Sequence, residues 1–97
     1  MRIENELKLD YSDVLLRPKR SVLGSRKEVS LKREFLHIDW NGIPIMAANM
    51  DGVGTFQMAT KLEAANMFTC LKKNYDASKL IEYFSKKERN HTAMSIG

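Results

Sequence analysis

Gly42-Ile43-Pro44-Ile45-Met46-Ala47-Ala48-Asn49-Met50-Asp51, with Gly52-Val53-Gly54-Thr55-Phe56 directly after it, is the stretch whose reading decides the fold. Residues 43–48 form a short, nearly unbroken apolar run, of a length that suits a strand buried on both faces. Pro44 is tolerated near the start of such a strand, where its missing N–H does least harm. Asn49, Met50 and Asp51 arrive where the strand would end. Gly52 and Gly54 allow a tight turn, and Thr55 or Gln57 opens a helical pattern. A buried strand, polar residues at its carboxyl end, a glycine turn and a helix together make the first unit of a parallel α/β fold. In such folds the chemistry sits at the carboxyl ends of the strands. A plain buried strand followed by a turn is the alternative reading of the same residues.

The rest of the chain repeats the pattern. Phe56, Ala59 and Leu62, and with them Met58 and Ala65, give one apolar helix face, which Asn66 would stop. Residues 67–71 are a second short apolar run, closed by Lys72-Lys73-Asn74-Tyr75. Asp76 or Ser78 opens a second helix, with Leu80, Ile81 and Phe84 inward and Lys86, Lys87, Glu88 and Arg89 outward. Residues 92–96 are a third candidate strand. The strand centres Met46, Cys70 and Met94 are 24 residues apart each time, a spacing that suits repeated strand–helix units. The third strand of such a unit has an unpaired edge, so the expectation is the front part of a larger domain.

Upstream, Leu7 and Leu9 are possible docking contacts. Residues 11–16 read as a short helical turn capped by Ser12 or Asp13, with Val14, Leu15 and Leu16 packing inward and Pro18 as the stop. Arg17, Lys19, Arg20, Arg26 and Lys27 surround a loop with Gly24 and Ser25, either a solvated loop or an anion site. Val29, Leu31 and Phe35 alternate with polar residues, and Leu36, Ile38 and Trp40 alternate one register later. Two short strands, or one with a bulge, would form a small antiparallel flap.

Composition narrows the classes. Ninety-seven residues make one domain at most, or part of one. No apolar run approaches the ~20 residues of a membrane helix, and the N-terminus lacks the apolar core of a signal peptide. Cys70 is the only cysteine and has no internal disulfide partner, which agrees with a reducing compartment and a cytoplasmic reading. The net charge of +4 and pI near 9.3 permit an anionic partner. Lysine and arginine are scattered over separate elements with no aromatic stacking platform, which argues against a nucleic-acid module.

Leu9-Asp10-Tyr11-Ser12-Asp13-Val14-Leu15-Leu16-Arg17-Pro18-Lys19-Arg20-Ser21, then Ser25-Arg26, then residues 42–56, then Phe68-Thr69 with Lys73 and Tyr75, resemble the amino-terminal part of the GMP reductase family. That family lies in the group that contains IMP dehydrogenase. The Ala-Ala-Asn-Met-Asp run separates the chain from IMP dehydrogenases, which tend to carry Ser-Pro-Met-Asp there. The resemblance implies a (β/α)8 TIM barrel, with residues 1–41 as an N-terminal segment and β flap and 42–97 as the first βαβαβ portion. It implies reduction of GMP to IMP with NADPH and release of ammonia, a homotetramer, and a monovalent cation (potassium) bound outside this chain.

Ser25 and Arg26 match the pair that reaches NADPH on a neighbouring subunit, and Lys73 matches the lysine that contacts NADPH after the second strand. Asn49, Met50 and Asp51 would lie under the purine and ribose. The family's nucleophilic cysteine, which attacks the purine C2, lies beyond residue 97. Cys70 is read instead as an inert strand residue, and the 97 residues alone are expected to be inactive, with the remaining barrel coming from the same or a second chain. Gly52 stands where the family has threonine, Lys72 and Asn74 stand where it has histidines, and the flap between Phe35 and Gly42 is short. The other readings of the residues are an IMP dehydrogenase-type oxidoreductase, a non-catalytic fragment, or a basic binding module.

Overall fold

The computed structural model describes residues 1–35 and 40–96. They form a mixed α/β arrangement with two α-helices and two sheets among the described residues. Strands β1 (Arg33–Phe35) and β2 (Trp40–Gly42) pair antiparallel, with Phe35 opposite Trp40 and Arg33 opposite Gly42. Strands β3 (Met46–Ala47), β4 (Phe68–Leu71) and β5 (Thr92–Met94) form a parallel sheet in chain order. Helix α1 (Phe56–Ala64) connects β3 to β4, and helix α2 (Ala77–Ser85) connects β4 to β5. The expected flap and βαβαβ order are therefore both present. Leu36 and Ile38 of the flap lie outside the described residues, as does most of the segment expected to be short.

The helix ends are set by local chemistry. Thr55 caps α1, its hydroxyl accepting from the Met58 amide at 3.1 Å. The far end closes as a Schellman motif: the Met67 amide donates to the Leu62 carbonyl at 2.8 Å and the Asn66 amide to that of Glu63 at 3.0 Å. Asn66 takes the left-handed conformation this requires, with φ of 59°. Asp76 is the residue before α2, although its side chain makes no capping bond.

The core lies between the helices and one face of the sheet. Ala59 of α1 and Leu71 of β4 are fully buried, and Tyr83 of α2 is nearly so; Phe56, Tyr75, Leu80 and Phe84 pack around them. Phe56 stacks on Tyr75 and on Tyr83, with centroid separations of 3.9 and 4.6 Å. Arg89 ties the two helices together. It bonds the Glu63 carboxylate at 3.1 Å and the Tyr83 carbonyl at 3.2 Å, and its guanidinium lies 4.0 Å from the Tyr83 ring centroid. On the amino-end side, the buried Trp40 packs edge-on against Phe68, Phe35 and His91.

Several expectations need correction. The strand expected over residues 43–48 is only Met46–Ala47, and Ile45 and Met46 are substantially exposed rather than buried on both faces. Pro44 sits in a tight turn, with the Ile45 amide donating back to the Ile43 carbonyl at 2.7 Å; the Ile43 amide and the Ile45 carbonyl still bond Asn66 and Phe68, but the turn between them interrupts the regular ladder, which runs only over Met46–Ala47. The helices cover one face of the sheet, while Met46 and Cys70 lie on the opposite face, where no described element packs over them.

The turn near the N-terminus spans only Tyr11–Asp13, and its cap is Asp10, in a reciprocal capping box with Asp13. Val14 is already extended, and Val14, Leu15 and Leu16 are exposed, as are Leu7 and Leu9. Among the described residues, no sheet or helix surface lies against that segment, so its apolar side chains have nothing to bury into. Val29 and Leu31 precede β1 rather than belonging to it. On α1, Met58 and Ala65 fall off the buried face. On α2, Ile81 is exposed and Tyr83 takes the inward position. Helix α1 packs on β4 through Ala59, while Tyr83 of α2 is drawn inward by stacking on Phe56 and by the hydrogen bond between its hydroxyl and Thr92 Oγ1 at 3.3 Å.

Candidate functional site at the carboxyl ends of the parallel strands

Each parallel strand ends in polar residues. Asn49, Met50 and Asp51 follow β3, Lys72, Lys73 and Asn74 follow β4, and Ser95 follows β5. Parallel pairing places all of these at one end of the sheet. Side-chain hydrogen bonds then tie the three strand ends together. Asn49 Nδ2 donates to Ser95 Oγ at 2.9 Å, and Ser95 Oγ donates to the Leu71 carbonyl at 2.8 Å. Asn74 Nδ2 donates to Asp51 Oδ1 at 3.1 Å. Asn49, Met50, Asp51 and Lys73 are all exposed.

The glycine turn after β3 is held closely against β4. The Lys72 amide donates to the Gly54 carbonyl at 2.9 Å. A Cβ on Gly54 would run into the Cys70 carbonyl oxygen and come within 2.9 Å of the Lys72 nitrogen and 3.0 Å of the Ala48 oxygen. These are backbone atoms that cannot move aside, so this position needs glycine. Gly52 does not: a Cβ there meets nothing within 4 Å. The sequence pointed to both glycines, and only Gly54 serves the close approach. The Tyr75 hydroxyl accepts from the Phe56 amide at 3.1 Å, fixing the start of α1 to the loop after β4. The Lys72 ammonium stands 5.0 Å from the Tyr75 ring centroid, so Lys72 is engaged while its neighbour Lys73 is left exposed.

Ser25 and Arg26 are placed elsewhere. Ser25 caps the short 3-10 turn Arg26–Glu28, its hydroxyl accepting from the Lys27 amide at 3.3 Å, and the Glu28 carboxylate accepts from the Gly24 amide at 2.8 Å. Arg26 is exposed at the start of that turn. Among the described residues, neither Ser25 nor Arg26 bonds to the strand ends. The structure thus brings Asn49, Asp51 and the loop bearing Lys73 to one end of the sheet and leaves the Ser25–Arg26 pair apart from them.

Cys70 sits on β4 with its Sγ 3.3 Å from Met46 Sδ. Burial pushes its thiol above the ordinary range, which disfavours the thiolate a nucleophile requires. Among the described residues, no group of three or more histidines, cysteines or carboxylates could hold a metal ion. No described helix is long and apolar enough to cross a membrane. A cavity of about 420 Å³ lies away from the strand ends, between Leu31 and Lys32 on one side and Asn41, Gly42, Ile43 and Asn66 on the other.

Sequence reading missed Ser95 as a site residue, because it fell inside the strand expected over residues 92–96. Pairing of β5 ends at Met94, opposite Leu71, and this frees Ser95 to reach the Leu71 carbonyl. A hydroxyl at the last position of an apolar run was the available signal.

A parallel βαβαβ unit with polar, mutually bonded residues gathered at its carboxyl ends is that of a partial α/β domain, a class in which ligands bind at that edge. No family model matches the chain. Curated proteins do match it, and the names they carry agree. It is 51% identical over 78 residues to a GMP reductase of Phytophthora infestans, covering 76% of this chain and 22% of that protein. It is 49% identical over 87 residues to one of Klebsiella pneumoniae subsp. pneumoniae, covering 86% and 25%. It is 46% identical over 104 residues to one of Yersinia pestis (strain Pestoides F), covering 100% and 30%. These similarities are consistent with a portion of a GMP reductase and fit its amino-terminal portion. The chain spans between about a fifth and a third of the length of the curated relatives it matches.

Proposed function

We propose that this chain is the amino-terminal part of an NADPH-dependent GMP reductase, in which GMP, NADPH and two protons give IMP, NADP+ and ammonium. The observation that carries the reading is identity of 46 to 53% to proteins named GMP reductase over most of the chain. In this reading the parallel sheet is the first part of a (β/α)8 barrel, residues 42–97 supply its first three strands, and residues 1–41 supply the segment and flap before it. The protein is cytoplasmic and assembles as a homotetramer, and the nucleophilic cysteine and the potassium site lie in the remainder of the barrel.

The residues at hand suit the cofactor's anionic groups. Lys73 is an exposed cation directly after β4, and Arg26 is an exposed guanidinium beside the capping Ser25. NADPH, when bound, supplies the hydride. Lys73 serves as a mobile point charge for one phosphate. Arg26, with Ser25, grips an anionic group of the cofactor on a neighbouring subunit as a bidentate fork. Asn49 and Asp51 offer acceptor oxygens toward the purine and ribose, and Met50 gives an adaptable apolar contact. Cys70 takes no part, in keeping with its raised thiol pKa.

The test is turnover by the full-length protein that carries this chain. NADPH-linked conversion of GMP is expected, with NAD-linked oxidation of IMP weaker by orders of magnitude. The opposite preference would place the protein with the IMP dehydrogenases, against Asn49 and the Ala-Ala-Asn-Met-Asp run. A second reading, a non-catalytic portion, is favoured by Cys70, the one cysteine of these 97 residues, whose burial disfavours the thiolate. Intact mass under denaturing conditions separates the two. A lone species near 11.2 kDa that consumes no NADPH marks the fragment, and a larger species that consumes it marks the enzyme.

A further inference from the structure

We infer that Ser95 is a positioning residue that fixes the side-chain amide of Asn49 so that its Oδ1, an acceptor, faces the bound nucleotide. The inference deepens the GMP reductase reading and rests on it for the identity of the ligand. A serine hydroxyl has a single proton to donate. Ser95 gives that proton to the Leu71 carbonyl at 2.8 Å. Toward Asn49 it can then only accept, so the group facing it across 2.9 Å must be the Asn49 Nδ2 donor. The orientation of an asparagine amide is ordinarily ambiguous, and here the neighbouring bond settles it.

With one Nδ2 hydrogen committed to Ser95, the amide is held in a single orientation, which leaves Oδ1 as its acceptor for a ligand and the second Nδ2 hydrogen as a remaining donor. Oδ1 can take a hydrogen bond from a ribose hydroxyl, a ring N–H or an exocyclic amine. Oδ1 itself cannot serve a carbonyl or a phosphate oxygen. Asp51, the other polar residue after β3, is an acceptor too, and its Oδ1 is already held by Asn74 Nδ2 at 3.1 Å. The edge therefore offers acceptors from β3 and a cation, Lys73, from the loop after β4. A ligand with hydrogen-bond donors at one end and an anionic group at the other, as a purine nucleotide has, is complementary to that arrangement. Ser95 also bonds the ends of all three parallel strands through Asn49, itself and Leu71, so the position of the acceptor is fixed by the sheet.

The experiment compares wild type, Ser95→Ala and Ser95→Thr in the full-length protein, with two readouts. The first is hydrogen exchange of the Asn49 side-chain amide by NMR in 15N-labelled protein. Protection in wild type is expected to fall about tenfold in Ser95→Ala and to return in Ser95→Thr, which restores the hydroxyl. The second is steady-state kinetics. Ser95→Ala should raise KM for GMP about tenfold, the size of one net hydrogen bond, with kcat changed less than about threefold, and Ser95→Thr should restore KM. Unchanged amide exchange in Ser95→Ala, or unchanged KM for GMP in an active enzyme, overturns the inference. A wild-type protein that does not turn over GMP with NADPH overturns the functional reading instead, and the exchange measurement still decides whether Ser95 fixes Asn49.

Discussion

The indole Nε1 of Trp40 donates a hydrogen bond to Nδ1 of His91 across 2.9 Å, joining residues 51 apart in the chain. Trp40 begins the second flap strand, and His91 directly precedes β5. The same His91 offers its carbonyl to the Thr69 amide at 3.0 Å, and its ring lies edge-on to the indole with centroids 5.6 Å apart. The flap is thus fastened beneath the amino ends of the parallel strands by a buried aromatic with its one polar atom satisfied. Removing the acceptor leaves that N–H in an apolar site. His91→Ala should cost about 1–3 kcal/mol of stability, seen as an earlier denaturation midpoint followed by tryptophan fluorescence. An unchanged midpoint would mean that the flap is held by packing alone.

The glycine turn after β3 makes a contrasting pair of expectations. Gly54→Ala places a methyl group against the backbone of both neighbouring strand ends. It should destabilise by about 2 kcal/mol or more, the range of overpacked sites. Gly52→Thr puts a side chain into open space and should change stability by less than about 0.5 kcal/mol. Chemical denaturation of the two variants side by side checks both, and equal effects would contradict the close approach assigned to Gly54.

Thr69 is fully buried on β4, and among the described residues its hydroxyl has no hydrogen-bond partner. A buried hydroxyl without a partner has lost its hydration for no return. Thr69→Val keeps the shape and removes the polar atom, so it should leave stability unchanged or raise it by about 1 kcal/mol. Loss of more than that would show that the hydroxyl has a partner in the complete protein.

Burial raises the Cys70 thiol above the ordinary range. The folded state then holds its proton where an unfolded chain has begun to release it. The thiol's contribution to stability is therefore whole below the ordinary thiol pKa, near 8.5, and falls as pH rises from there through the folded value. Alkylation by iodoacetamide at pH 8 should run several-fold slower than for a free cysteine and should accelerate when the protein is unfolded. A rate equal to or faster than free cysteine would reopen a nucleophilic role for Cys70.

Lys73 stands exposed next to a lysine that is engaged with an aromatic ring. If it contacts NADPH, Lys73→Met in the full-length protein should raise KM for NADPH about tenfold, as expected from losing one charge-assisted hydrogen bond. KM for GMP should move less than about twofold, and the melting temperature should not change. Equal effects on both ligands would move Lys73 out of the cofactor site.

Local pattern determined a good deal here. The order of strands and helices, the 24-residue repeat and the stop at Asn66 are legible in the sequence, which also narrows the helix starts to Thr55 or Gln57 and to Asp76 or Ser78, of which the structure takes Thr55 and Asp76. The residues after the first two parallel strands were equally legible as a candidate site, because parallel strands bring their carboxyl ends to one edge, whereas Ser95 after β5 was not. Tertiary structure decided the rest. Which residue of α2 turns inward is set by Phe56 of α1 and Thr92 of β5, which engage Tyr83 and leave Ile81 outside. The exposure of Val14, Leu15 and Leu16 reflects what packs nearby rather than their own hydrophobicity. Nor could spacing announce that Trp40 reaches His91, or that Asn49 reaches Ser95 and through it the Leu71 carbonyl. Those bonds join residues on separate elements, and they exist only because strand register puts donor and acceptor within three ångströms.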